Sequence, residues 1–122
     1  MSKVIIAGSR SIIDYTALQY AIAQSDFSIG QVVCGGARGV DALGAKWASE
    51  KSLPCTMFWP DWNRFGRAAG PYRNSEMASY ADAAIILWDG TSKGTLDMID
   101  RMRRVRKRCE VYNERGERIV AF

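Results

Sequence analysis

Val32-Val33-Cys34-Gly35-Gly36-Ala37-Arg38-Gly39-Val40-Asp41 reads as a buried strand, a glycine-rich turn and the start of a helix. Two β-branched residues and a cysteine suit a strand covered on both faces. Gly35, Gly36 and Gly39 predict a tight turn whose backbone approaches a neighbour closely. A helix opened near Gly39 aims its free N–H groups and positive dipole end at that turn, an arrangement that binds anions and phosphate above all. Arg38, inside the turn, adds a bidentate donor for the same anion.

Upstream, residues 3–7 (Lys-Val-Ile-Ile-Ala) predict a central strand that Gly8-Ser9-Arg10 stops. Asp14 is the expected N-cap of a helix to about residue 24, with Tyr15, Leu18 and Ile22 on one face. Downstream, the helix after the glycine turn runs to about Lys51, turns Val40, Leu43, Trp47 and Ala48 to the sheet, and is ended by Ser52-Leu53-Pro54. A third strand is expected over residues 55–59. Residues 60–70 have no clean period and read as a lid or binding loop. Trp62 and Phe65 there either stack on a flat ligand or anchor the loop to the core. Pro71 suits the first position of a helix to about Tyr80, whose opening turn is polar. Residues 83–88 form the clearest strand, and Asp89-Gly90-Thr91-Ser92-Lys93-Gly94-Thr95 is another small polar turn into a helix. That helix, to about Lys107, buries Met98, Ile99, Met102 and Val105. Two last strands, residues 109–112 and 118–121, flank a hairpin loop.

Strand and helix alternate, so the chain is read as a single α/β domain with a mainly parallel sheet, helices on both faces and a C-terminal hairpin. In a parallel sheet the turns after strands one, two and four share one edge, and the topological switch point there is where ligands bind. Gly8, Ser9, Arg10, Gly35, Gly36, Arg38, Gly39, Asp41, Arg73, Asn74, Asp89, Gly90, Ser92, Lys93, Gly94 and Thr95 are the expected ligand-binding residues. Two helix N-termini and the cations Arg10, Arg38, Lys93 and Arg73 in one crevice ask for a phosphorylated ligand.

Composition narrows the chemistry. With 122 residues the chain buries roughly two-thirds of its unfolded surface in one core. No apolar run approaches a membrane span and no signal-peptide pattern is present, so a cytoplasmic protein is expected, with no membrane partner. Cys34, Cys55 and Cys109 fall in predicted strands, far apart and without metal spacing, and read as buried reduced thiols. The chain has no histidine, which removes histidine triads, histidine metal sites and histidine general bases. No metal or cofactor is called for.

Ala7-Gly8-Ser9-Arg10, residues 34–41, Gly70-Pro71-Tyr72-Arg73-Asn74 and residues 90–95 together resemble the SLOG superfamily, within it the YspA-type, cpYpsA-related branch. The resemblance spans Val4 to about Arg104. It implies a Rossmann-like fold and a pocket for a nucleotide or nucleotide-derived ligand, which the protein senses or processes, and it implies a homo-oligomer. Relatives include DprA, which binds single-stranded DNA, and the "lonely guy" phosphoribohydrolases, which cleave the N-glycosidic bond of nucleoside monophosphates. In the hydrolases a Pro-Gly-Gly-x-Gly-Thr-x-x-Glu motif supplies phosphate turns and a catalytic glutamate. Here Gly94-Thr95 matches the Gly-Thr pair, the glutamate position falls on Met98, and Arg73 resembles the family's catalytic arginine. Asp97 is one residue from that position, about 100° round a helix.

Three function classes follow. The first is nucleotide binding at the C-terminal edge of the sheet. The second is N-glycosidic hydrolysis, with Arg73, Glu76 and Asp97 as candidate catalytic residues, because a carboxylate stabilises an oxocarbenium-like sugar. Glu76, one turn after Arg73, is either that carboxylate or a local ion-pair partner of Arg73. Asp41 either ties the glycine turn or meets a ligand hydroxyl, and Asp89 does likewise at its strand end. The third class is nucleic-acid binding through the basic face over residues 101–108, made of Arg101, Arg103, Arg104, Arg106, Lys107 and Arg108, which is equally what a solvated helix face looks like. A net charge of +4 fits that class.

Overall fold

The computed structural model describes residues 2–122. Strands β1 (Ser2–Gly8), β2 (Ile29–Cys34), β3 (Cys55–Met57), β4 (Ala83–Leu87), β5 (Arg108–Tyr112) and β6 (Arg118–Ala121) form one sheet in the order β3-β2-β1-β4-β5-β6. All neighbours pair in parallel except β5 and β6, which close the C-terminal antiparallel hairpin. The helices are α1 (Tyr15–Gln24), α2 (Val40–Glu50), a one-turn α3 (Trp62–Phe65), α4 (Ala69–Tyr80) and α5 (Lys93–Arg104). This is the Rossmann-like α/β fold expected from the alternation of elements.

The period-2 geometry of the strands divides the core into two layers. Val4 and Ile6 of β1, Val32 and Cys34 of β2, and Ile85 and Leu87 of β4 pack under α1 and α2 with Leu18, Val40 and Trp47. Ile5, Ala7, Val33, Ala84 and Ile86 point the other way, against Met77, Met98, Ile99 and Met102 of α4 and α5. Helices therefore cover both faces, which is why the strands read as unbroken apolar runs.

Several boundaries differ from expectation. β3 has three residues, because after the Phe58 N–H bonds the Cys34 carbonyl the chain reaches Pro60, which has no N–H for a ladder. Residues 60–70 are not an irregular loop: Asp61 caps α3 by accepting from the Arg64 N–H at 3.1 Å, and a 3-10 turn, Gly66–Ala68, feeds α4. α4 starts at Ala69, so Pro71 stands in its first turn rather than at its first position, where its missing N–H is still unneeded. α5 stops at Arg104, and Val105 is 45% exposed rather than buried. All three cysteines are free; Cys34 and Cys109 are buried, with burial pushing the Cys109 thiol up to about 12, while Cys55 is half-buried. No helix among the described residues is long and apolar enough to cross a membrane.

Candidate functional site

β1 is the switch point: the chain leaves it toward β2 and β3 on one side and returns to β4 on the other. The Ser9 N–H bonds the Leu87 carbonyl at 3.1 Å, so the β1 turn lies against the end of β4. The glycine turn after β2 closes on the same point. Gly39 precedes α2 with φ +75°, and a Cβ there would come within 2.5 Å of the Ser9 carbonyl and 2.6 Å of the Arg10 Cα. A Cβ on Gly35 would meet the Arg73 guanidinium at 2.5 Å and an Asp41 oxygen at 2.8 Å. A Cβ on Gly36 would collide with the Trp59 ring. The neighbours that these glycines admit are thus other parts of this chain, and Gly35, Gly36 and Gly39 support the site from behind without lining it.

Asp41, in the first turn of α2, is buried and accepts from the Ala37 N–H at 3.2 Å, so it ties the glycine turn. Burial raises its pKa, against the opposing pull of nearby backbone N–H groups and the Arg73 charge. Arg73 reaches across from α4, donating to the Gly35 carbonyl and, from Nε, to Asn74 Oδ1 at 3.0 Å. Its pKa is lowered by burial, with Asp41 and Asp97 opposing that fall and Arg10 adding to it.

The third turn is held by Asp89. Its Oδ1 accepts from the N–H groups of Thr91 at 2.9 Å and Ser92 at 2.8 Å, and its Oδ2 from Ser11 Oγ at 3.0 Å. Those two backbone bonds, first of all, pull its pKa down to about 2. Ser92 caps α5 through the Thr95 N–H, and the buried hydroxyls of Ser9 and Thr95 lie 3.4 Å apart beneath the turn. Of the opening N–H groups of α5, those of Lys93 and Gly94 have no partner within the helix.

These turns and α4 enclose one cavity of about 630 Å³. Of the residues expected to bind ligand, Gly8, Arg10, Arg38, Asp41, Arg73, Asn74, Asp89, Ser92, Gly94 and Thr95 line it; Ser9 sits under it, and Gly90 and Lys93 stand outside. Asp97 lines it too, held by Asn74 Nδ2 at 2.9 Å and by Arg101 Nε at 2.9 Å, beside the Met98 side chain. Glu76 is elsewhere: it is exposed in a separate shallow groove with Phe58, Tyr72 and Tyr80, because α4 turns Asn74 and Met77 to the cavity and Glu76, two residues after Asn74, lies about 200° round the helix from it. Nor does it pair with Arg73; the ion pairs among the described residues do not include it.

Trp62, 52% exposed, and Arg67 also line the cavity. Trp62 is therefore no core anchor, whereas Phe65 stacks on Tyr72 at 4.2 Å. Sequence reasoning missed Arg67 because its segment shows no period; the signal available was Asp61, a cap three residues before Arg64.

The expected basic face is split. α5 ends before Arg106, Arg101 pairs with Asp97, Arg103 lies over Phe122 at 4.2 Å and Arg108 over Phe27 at 5.2 Å. Lys107 is drawn under α4, donating to the carbonyls of Ala78, Ser79 and Ala81 at 2.6–2.9 Å.

Comparison with known proteins agrees with this architecture. The model of the YAcAr family, described as YspA, cpYpsA-related SLOG, matches residues 2–65, which hold β1, the glycine turn, α2 and β3. Gene 61 protein of Mycobacterium phage D29 is 35% identical over 105 residues, covering 78% of this chain and 83% of its own length. No solved structure matches. With the glycine turn, the switch-point cavity and these two matches in hand, the chain belongs to the YspA, cpYpsA-related SLOG family.

Proposed function

We propose that this protein binds a nucleotide or nucleotide-derived ligand in the cavity at the C-terminal edge of the sheet. The observation that carries the reading is that one cavity at the switch point gathers Arg10, Arg38, Arg67 and Arg73 with the opening turn of α5. Arginines at a helix N-terminus take phosphate oxygens, and an exposed tryptophan at the rim offers a face to a base. Membership of the SLOG family is consistent with this. Native mass spectrometry of freshly purified protein tests it: a retained mass matching a nucleotide, lost on denaturation, supports the reading. Protein that carries no ligand and takes up none from a panel of mononucleotides, dinucleotides, cyclic nucleotides and ADP-ribose would refute it.

Asp97 favours a second reading, N-glycosidic hydrolysis. Its carboxylate faces the cavity while Met98 stands at the family's glutamate position. In such a reaction the bond from the anomeric carbon to the base nitrogen breaks, the electron pair leaves with the base, which takes up a proton, and water adds to the sugar and gives up a proton. A fixed carboxylate stabilises the cationic sugar between these events. Asp97→Asn should then abolish release of free base from nucleoside monophosphates while leaving their binding within a few-fold. Wild-type protein that binds but releases no base on long incubation is a binder only.

A further inference from the structure

Every carboxylate that lines the cavity already has hydrogen-bond donors, whereas three of its four guanidiniums have no partner. Asp41 accepts from the Ala37 N–H, Asp89 from Ser11, Thr91 and Ser92, and Asp97 from Asn74 and Arg101. Arg73 donates to Gly35 and Asn74. Arg10, Arg38 and Arg67 make no ion pair or side-chain hydrogen bond among the described residues, and they come from three different places: the turn after β1, the turn after β2 and the 3-10 turn before α4. From these observations we infer that the ligand carries two linked phosphoryl groups, as in a nucleoside diphosphate or a pyrophosphate-bridged nucleotide, rather than a single terminal phosphate.

The inference rests on the nucleotide reading above and narrows it. A bidentate guanidinium engages two oxygens of one phosphoryl group at a time, and three of them converging from separate segments offer donors to more than one such group. Three unpaired guanidiniums on three separate segments suit an anion that extends from one to the next. The cavity, about 630 Å³, is of the size that encloses a whole small organic ligand and not only its phosphate. The Arg10 charge disfavours the charged form of Arg73, a repulsion among the cations that a multiply charged anion relieves.

Calorimetric titration with AMP, ADP and ADP-ribose, at fixed ionic strength, tests this. ADP and ADP-ribose should each bind at least about tenfold more tightly than AMP, the effect of one further charge-assisted contact. Arg67→Ala, on an exposed 3-10 turn, should shrink that ratio, and Arg38→Ala serves as a second variant should the first lose its native melting transition. Equal affinities for AMP, ADP and ADP-ribose, or a ratio unchanged in both variants, would overturn the two-phosphoryl assignment while leaving nucleotide binding intact. If none of the three binds, this inference falls, and the wider nucleotide panel decides whether the nucleotide reading falls with it.

Discussion

Gly39 shows how much a single residue can decide. At φ +75° only glycine is comfortable, and the carbonyl of Ser9 and the Cα of Arg10 occupy the place a side chain would take. Gly39→Ala should therefore cost about 1–3 kcal/mol from backbone strain alone, with the clash in addition. Urea denaturation measures it, and a variant as stable as the wild type would show the turn to be less constrained than its geometry. Asp89 supplies a pH-dependent counterpart. Its pKa is pulled from an ordinary 3.8 to about 2 because the folded turn donates N–H bonds to the charged form. A group depressed in this way stabilises the fold above its unfolded pKa and loses that contribution as pH falls through its folded pKa. Stability should thus fall between pH 3.8 and about 2, and Asp89→Asn should flatten that slope. An equally steep slope in the variant would assign the acid sensitivity to other carboxylates. At this scale the glycines and Asp89 were legible in the sequence as turn residues. What fills the space beside each glycine was not, because Trp59 and Arg73 are brought there only by the fold.

At the scale of elements, helix ends separate what the sequence signalled from what it concealed. α2 and α5 finish in the same way. The Ser52 and Leu53 N–H groups bond the Ser49 and Ala48 carbonyls, and the Arg106 and Lys107 N–H groups bond those of Arg103 and Met102. In each the first residue beyond the cap is left-handed, with φ 55° at Ser52 and 59° at Arg106. This is the Schellman pattern, usually announced by glycine. Pro54 still marked the end of α2, but nothing marked that of α5, so its apolar and basic periods were carried past Arg104 to Val105 and Lys107. Arg106→Gly should stabilise the protein by about 1 kcal/mol, the cost a side chain bears in the left-handed region, read from the urea midpoint. A variant no more stable than the wild type would mean that the arginine side chain offsets its own strain. Lys107→Met keeps the apolar stem but removes the three bonds to the end of α4. A loss of about 1–3 kcal/mol is expected, and no loss would reduce Lys107 to a surface charge.

For the whole molecule, a mainly parallel sheet with a central first strand and the edge that holds the cavity were legible because both follow from where small polar turns interrupt apolar runs. Turns after β1, β2 and β4 must meet at one edge of a parallel sheet whose first strand is central. In the wall that α3 and the 3-10 turn contribute, a binding role for the segment and for Trp62 was legible as one of two alternatives, but its helical turns and Arg67 were not, since so few residues show no period and Arg67 enters the cavity only when the chain doubles back into α4. The cavity consequently joins segments from both ends of the chain, from Ala7 to Met98, and anything that bridges them must favour the folded state. A ligand that binds only the native protein, at about 100 times its dissociation constant, adds about 2.7 kcal/mol. For a chain of this length that corresponds to a rise in Tm of about 10 °C. A nucleotide of the preferred class should produce this shift in the wild type, and Arg38→Ala should shrink it without lowering the ligand-free Tm, because Arg38 is exposed and supports no contact of the fold. A full shift in Arg38→Ala would move the anion toward Arg10 and Arg67, and a shift of equal size with inorganic phosphate alone would reduce the cavity to a general anion site.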